Sequence, residues 1–133
     1  MDLRITSKHA IWLTYTGRAD EAVQSLERGL RRDPFPPAWY WDFRGIALFE
    51  TRRYQEAIQA LSRLTRLYRW DYYYLAASYA HLGLIERARA CVAEILRASP
   101  GFRLGQVRMT EPFKDPADPE HLLDGVRKAG RPE

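Results

Sequence analysis

Residues 41–61 have the sequence WDFRGIALFETRRYQEAIQAL, in which apolar residues recur at three, four and seven positions on both sides of the polar step at 51–53. This spacing is typical of amphipathic α-helices, and the polar step indicates a turn between two of them. Gly45 in the first stretch and Ala57 in the second are small enough to let the helices approach closely. The segment therefore predicts an antiparallel helical hairpin.

The same hairpin pattern occurs three times. Ala22, Ala57 and Ala88 are 35 and then 31 residues apart, which brackets the 34-residue period of helix-turn-helix repeats. Each alanine has a small residue twelve positions before it and an aliphatic residue four positions after it. Pro34 and Pro100 stop the first and third hairpins, because proline has no amide hydrogen and disfavours helix in the residue before it. The chain is therefore predicted to contain three helical hairpins.

These markers predict an all-α fold, since no alternating strand pattern is seen. Six helices are expected near residues 3–16, 19–32, 37–51, 54–67, 70–82 and 86–98. Gly17 and Gly83 lie at the turns of the first and third hairpins, where a residue that adopts positive φ ends a helix easily. Residues 1–100 are divided into three repeats, at about 3–36, 37–68 and 69–100.

Residues 101–133 are predicted to cap the last repeat, because a terminal repeat otherwise leaves apolar surface bare. A short helix is expected over residues 102–109, followed by a proline-rich connector. A C-terminal helix is expected to begin at Pro119 and to stop at Gly130. Its inward-facing residues are Leu122, Leu123 and Val126.

The second and third hairpins resemble the tetratricopeptide repeat. That family has an aromatic residue early in its first helix, a small residue four positions later, and alanine and then proline in its second helix. The matching positions are Trp41, Gly45, Leu48, Tyr54, Ala57, Leu61 and Leu64 in the second hairpin and Tyr72, Leu75, Ala76, Tyr79, Gly83, Ala88, Val92, Ile95 and Pro100 in the third. The resemblance implies an α-solenoid of three helix-turn-helix pairs, whose first helices line a concave groove that binds a protein or peptide.

Helix phase selects the residues of that groove, and its central part is aromatic. They are Trp39, Asp42, Ile46, Phe49 and Glu50 in the second hairpin, Trp70, Tyr73, Ala77, Ala80 and His81 in the third, and Arg4, Ser7, Ile11, Thr14 and Tyr15 in the first. Rigid aromatic side chains supply much of the binding energy at protein interfaces. The alternative for each aromatic residue is packing in the core or between repeats.

The tail resembles a second group of proteins. The runs PFKDPA at residues 112–117 and LLDGVRKAG at 122–130 are similar to the ending of tetratricopeptide segments at the C terminus of bacterial class III adenylate cyclases and similar multidomain regulators. There the repeats accompany a catalytic or DNA-binding domain, and no such domain fits in 133 residues. The resemblance implies a regulatory tail that acts on a separate domain, which is the alternative to a partner-binding scaffold.

Composition argues against several other functions. No apolar run is long enough to cross a membrane, and the single cysteine, Cys91, cannot form an internal disulfide, so a cytoplasmic protein is expected. The net charge of +4 is modest. Acidic residues also interleave with the arginines at 52, 53, 63, 66 and 69, which disfavours nucleic acid as a partner.

No catalytic, metal-binding or cofactor-binding pattern is found. His9, His81 and His121 lie far apart in the chain without a neighbouring cysteine pair, and no glycine-rich phosphate loop occurs. Cys91 is expected to pack as a small apolar side chain rather than to react. A non-enzymatic chain is therefore predicted, and self-association through the first helix or the capping face stays open.

Overall fold

The computed structural model describes residues 13, 14, 16–103 and 119–130 of the 133. They form the helices α1 (Ala19–Arg32), α2 (Ala38–Glu50), α3 (Tyr54–Leu61), α4 (Arg69–His81), α5 (Ile85–Ala98) and α6 (Pro119–Lys128), and these residues contain no strand. Leu13 and Thr14 are also helical. The other residues of the helix expected at 3–16 lie outside the described residues, apart from residue 16. So do residues 104–109 of the helix expected at 102–109. No helix of the described segments is long and apolar enough to cross a bilayer.

Four of these helices begin and end within one residue of the predicted bounds, but α3 does not. The prediction of a helix from 54 to 67 is wrong, because α3 ends at Leu61. The amides of Arg63 and Leu64 bond to carbonyls only three residues back, and the Ser62 hydroxyl donates to the Ile58 carbonyl at 2.7 Å. These bonds occupy the last carbonyls of the helix in a tighter turn, so the regular helix stops there.

One backbone turn recurs at the three hairpins. The amides of Arg18, Arg53 and Leu84 each bond to the carbonyl five residues back, at 2.7, 2.9 and 2.8 Å. The residue before each of these amides has positive φ, with values of 86° at Gly17, 64° at Arg52 and 81° at Gly83. This is the Schellman arrangement that ends a helix. The three turns are therefore equivalent, and Arg52 stands where the other two have glycine.

The chain forms two compact units, residues 1–65 and 66–133. In the first unit α2 packs against both α1 and α3. Its buried side chains are Ala22, Val23, Leu26, Tyr40, Ile46, Ala47, Leu48, Phe49, Ala57, Ala60 and Leu61. At the contact between α2 and α3, a Cβ built on Gly45 would lie 2.6 Å from Cγ of Leu61, so the Leu61 side chain packs directly against the glycine.

In the second unit α4 packs against both α5 and α6. Its buried side chains are Tyr73, Tyr74, Leu75, Ala76, Ala77, Ala80, Ala88, Val92, Ile95, Phe102, Leu122, Leu123, Val126 and Ala129. The three aligned alanines, Ala22, Ala57 and Ala88, are all fully buried. The division of the chain into three repeats and a cap stays a prediction.

Candidate functional site

The predicted groove residues of the second hairpin lie on one side of α2 and differ in exposure. Trp39 is half-buried and lies against Phe43, with 6.0 Å between the ring centroids. Asp42 and Ile46 are buried, and Glu50 is half-buried. Phe49 is fully buried and packs on Tyr54 at 5.6 Å. Phe49 is therefore a core residue in this structure, and Trp39 is the aromatic residue of this face that solvent reaches.

The predicted groove residues of the third hairpin lie along α4. Trp70 is 39% exposed and stacks on Tyr68, with 4.7 Å between centroids and 12° between ring planes. Tyr73 is 1% exposed and stacks on Phe102 at 5.3 Å. The start of this face is exposed at Trp70. Tyr73 instead packs in the core, which was the alternative to a groove role for each aromatic residue.

The C-terminal half of the α4 face is in contact with α6. The Nε2 atom of His81 lies 3.0 Å from the backbone carbonyl of His121, and the two imidazole rings are 4.8 Å apart. Gly125 lies against Ala77 so closely that an added Cβ would meet the Ala77 Cβ at 2.5 Å. The face that helix phase assigns to a partner is thus occupied here by the chain's own C-terminal helix.

A cleft lies in the first unit, on the side of α2 opposite Trp39. It has a volume of about 230 Å³ and is lined by Leu30, Trp41, Arg44, Leu48, Glu56, Gln59, Ala60 and Arg63. The Arg63 guanidinium lies 4.7 Å from the centroid of the Trp41 ring. Because α3 ends at Leu61, this charged side chain rather than another turn of helix covers Trp41. Sequence reasoning missed the cleft. The available signal was the spacing of 31 residues between Ala57 and Ala88, which is shorter than the 34-residue period.

Local ion pairs neutralise many of the surface charges. Arg18 pairs with Glu21, Arg53 with Glu56, Arg89 with Glu86, Arg97 with Glu94 and Arg127 with Asp124, each three residues apart on one helix or its first turn. The hydrogen bonds that the Arg53 guanidinium donates to the Glu56 carboxylate raise the pKa of Arg53. Pairs of this exposed kind contribute little to stability, and of the arginines at 52, 53, 63, 66 and 69 the pairs named here include Arg53 alone.

The environment of Cys91 keeps its thiol protonated. Burial, and to a smaller extent the nearby Glu94 carboxylate, raise the pKa of the Cys91 thiol to about 11. The thiolate is the nucleophilic form of cysteine, so the raised pKa disfavours reaction of this side chain at neutral pH. Within the described ranges, no group of three or more His, Cys, Asp or Glu side chains is placed to hold a metal ion.

Comparison with known proteins agrees with the repeated hairpins. The family model described as tetratricopeptide repeat matches residues 10–71 and, a second time, residues 44–101. No curated protein and no solved structure matches the chain. The two overlapping matches together span residues 10–101, which contain all three equivalent turns. The prediction of an all-α fold of the α-solenoid class is thereby confirmed, and the chain belongs to the tetratricopeptide repeat family.

Proposed function

We propose that this chain is a non-enzymatic scaffold that binds a segment of a partner protein along the first helices of its hairpins. Tetratricopeptide repeats generally mediate protein–protein interaction. The observation that carries the proposal is the exposed aromatic pair formed by Tyr68 and Trp70 at the start of α4. Trp39, at the start of α2, occupies the corresponding end of the other predicted groove helix.

The Tyr68–Trp70 pair has the properties of a binding anchor. Tyr68 is 49% and Trp70 39% exposed, so the pair offers a large apolar area to another molecule. The amide of Tyr68 donates to Oδ2 of Asp71 at 2.8 Å, and the Arg66 guanidinium lies 5.7 Å from the Tyr68 ring. These contacts hold the pair in place in advance, which lowers the entropy lost when a partner binds. Tyrosine and tryptophan are also the residues enriched at binding hot spots.

Affinity capture with surface variants tests the proposal. The wild-type chain and the Trp39→Ala, Trp70→Ala double variant are used as baits in extract from the source cell, and the bound proteins are quantified by mass spectrometry. Phe35→Ala is the matched control, because Phe35 is 89% exposed and lies in the loop between α1 and α2. Phe49 and Tyr73 are left intact, since replacing a buried aromatic residue costs about 3–5 kcal/mol of stability.

We expect one partner to be captured by the wild type and by Phe35→Ala and to be at least tenfold depleted with the double variant. At a hot spot the loss from each alanine is about 2 kcal/mol or more. Equal capture of every protein by all three baits would show that the aromatic ends of α2 and α4 do not form the binding surface.

The second candidate is a regulatory tail, and the runs at 112–117 and 122–130 favour it through their similarity to the tails of cyclase-type regulators. In that case the partner is a catalytic or DNA-binding domain encoded in the same gene or beside it. The test is to purify the products of the neighbouring genes and to measure their activity with and without the chain. This candidate would be supported if the wild-type chain changed the rate of a neighbouring gene's product and the Trp39→Ala, Trp70→Ala variant did not.

A further inference from the structure

The C-terminal helix α6 covers one helix of the last hairpin. It packs along α4, and its contact with α5 is slight. The contact involves Ala77 and His81, which lie on the same face of α4 as Tyr73. These are residues that helix phase assigns to the groove. The position that a partner would occupy on α4 is therefore filled by a segment of the chain itself.

The crossing of α4 and α6 requires a small residue. A Cβ added to Gly125 would lie 2.5 Å from Cβ and 2.6 Å from Cα of Ala77 and 3.0 Å from Nε2 of His81. Because Cα of Ala77 belongs to the backbone, it cannot move aside as the end of a flexible side chain can. Around this point Leu122, Leu123 and Val126 are all fully buried. The α4 face thus accepts a helix that has a small residue at the crossing. The helix also has aliphatic residues at the positions that Leu122, Leu123 and Val126 occupy relative to Gly125.

On its own, α6 is a weak helix. It has ten residues, whereas isolated helices shorter than about 12–15 residues are marginal in water. Its central Gly125 weakens it further, because glycine loses more backbone freedom in a helix than alanine does. The helical state of α6 therefore depends on its contact with α4, so that docking and helix formation are coupled.

Polar contacts lie at the edge of this interface. The Nε2 atom of His81 lies 3.0 Å from the backbone carbonyl of His121, and Nζ of Lys128 lies 3.5 Å from Nδ1 of His81. Water can replace both when the helices separate, since hydrogen bonds to water compensate those lost at an exposed edge. The apolar crossing at Gly125 and Ala77, with Leu122, Leu123 and Val126 buried around it, contributes to holding α6 in place.

We propose that α6 is a replaceable internal occupant of the α4 face, and that the partner of this face is an amphipathic helix with Gly at the crossing point. The proposal rests on the proposed function and deepens it by naming the kind of partner. In this arrangement the exposed Trp70 end of α4 makes the first contact, and the incoming helix then takes the place of α6 over Ala77. While α6 occupies the α4 face, it blocks the binding of partners that cannot replace it.

A binding measurement with a peptide of residues 117–130 tests this proposal. The fluorescently labelled peptide is titrated with the full-length wild type, with Gly125→Leu and with Gly101→Leu, and anisotropy reports binding. Gly125→Leu prevents the chain's own α6 from docking. Gly101→Leu is the matched control, because no atom of the described residues lies within 4 Å of a Cβ built there.

We expect Gly125→Leu to bind the peptide at least tenfold more tightly than the wild type and Gly101→Leu do. A peptide that itself carries the Gly125→Leu change is expected not to bind. Equally weak binding by all three chains would overturn the proposal. So would a loss of helical circular dichroism signal in Gly125→Leu beyond that of the ten residues of α6, because α6 would then be an integral part of the fold.

Hydrogen exchange on the unmodified chain gives a second test that needs no variant. If α6 is replaceable, its amides exchange at least tenfold faster than the central amides of α4 and α5, through local opening. Equal exchange in the three helices would mean that α6 leaves only on global unfolding, which contradicts the proposal. A light-scattering mass of twice the chain for the wild type, but of one chain for Gly125→Leu, would place α6 on a second copy and would overturn the internal arrangement.

The two sets of experiments fail independently. The capture experiment changes Trp39 and Trp70, neither of which is among the α6 contacts described above, so its failure rejects the aromatic anchor alone. The peptide and exchange measurements change or follow α6 and α4, and their failure leaves the aromatic anchor untouched.

Discussion

The phenolic hydroxyl of Tyr40 donates a 2.7 Å hydrogen bond to the backbone carbonyl of Leu26, and both residues are fully buried. The bond joins α1 to α2 in the first unit. Burial raises the pKa of Tyr40, although the nearby Arg44 guanidinium partly offsets this effect. The hydroxyl therefore keeps its proton and remains a donor throughout the neutral and mildly alkaline range.

Tyr40→Phe is expected to lower the free energy of unfolding by about 1–2 kcal/mol, because the change removes a buried hydrogen bond and leaves the apolar ring in place. Urea unfolding followed by circular dichroism measures the loss. Tyr72→Phe is the control, since Tyr72 is half-exposed, and it should change stability by less than about 0.5 kcal/mol. Equal effects of the two changes would mean that the Tyr40 hydroxyl contributes nothing to stability.

Arg52 occupies the left-handed conformation, with φ of 64°, at the turn where the other hairpins have glycine. Side chains raise the energy of this conformation by about 1 kcal/mol. Arg52→Gly is therefore expected to be about 1 kcal/mol more stable than Arg52→Ala, which keeps the Cβ and loses the same guanidinium. Thermal unfolding of both variants checks the difference, and identical midpoints would rule out strain at this turn.

Gly45→Ala tests the close approach of α2 and α3. The new Cβ would lie 2.6 Å from Cγ and Cδ2 of Leu61, and overpacking of this kind costs about 1–3 kcal/mol. The change should lower the urea midpoint, and Gly101→Ala should leave it unchanged. Adding Leu61→Ala to Gly45→Ala should cost less than Leu61→Ala costs in the wild type, because the smaller side chain removes the clash. Strictly additive effects would argue against a direct contact.

Cys91 makes stability depend on pH in the alkaline range. Its pKa in the folded chain is raised to about 11, while in the unfolded chain the thiol ionises near its ordinary pKa of about 8.5. Between these two values the unfolded chain holds fewer protons, so the free energy of unfolding falls as pH rises from about 9 towards 11. Urea unfolding at pH 8 and pH 10.5 should show a smaller fall for Cys91→Ala than for the wild type.

The same raised pKa predicts slow alkylation of the folded chain. At pH 7.5 we expect iodoacetamide to modify Cys91 at least tenfold more slowly in the folded chain than in urea, because the thiolate is the reacting form. Mass spectrometry follows the modified fraction with time. Equal rates in the two conditions would show that the thiol is neither shielded nor raised in pKa.

Helix positions were predictable from the sequence because periodicity and stop residues are local signals. The bounds of α1, α2, α4 and α5 follow from them to within one residue. The early end of α3 was not predictable in this way, since the apolar period continues through Leu64 and no proline or glycine interrupts it. What ends α3 is the bonding of Ser62 and of the amides after it to nearby carbonyls, which competes with the helix without changing the apolar pattern.

The candidate surface was predictable only in part. Helix phase groups Trp39 with Phe49 on α2 and Trp70 with Tyr73 on α4, because phase depends on spacing alone. Helix phase does not show which residues of a face are buried, since the side chains that bury them come from distant parts of the chain. Tyr73 is buried beside Phe102, and His81 meets His121, forty residues along the chain. The binding groove as a whole and the resemblance to cyclase tails stay predictions.

The contact of Gly125 with Ala77 has a genetic consequence. Every amino acid except glycine carries a Cβ, so each missense mutation of this codon places an atom where the Ala77 backbone already lies. No substitution at this position is mild, and all of them act in one direction, towards a detached C-terminal helix. Alleles at this codon would therefore share one phenotype, whatever the chemistry of the new side chain.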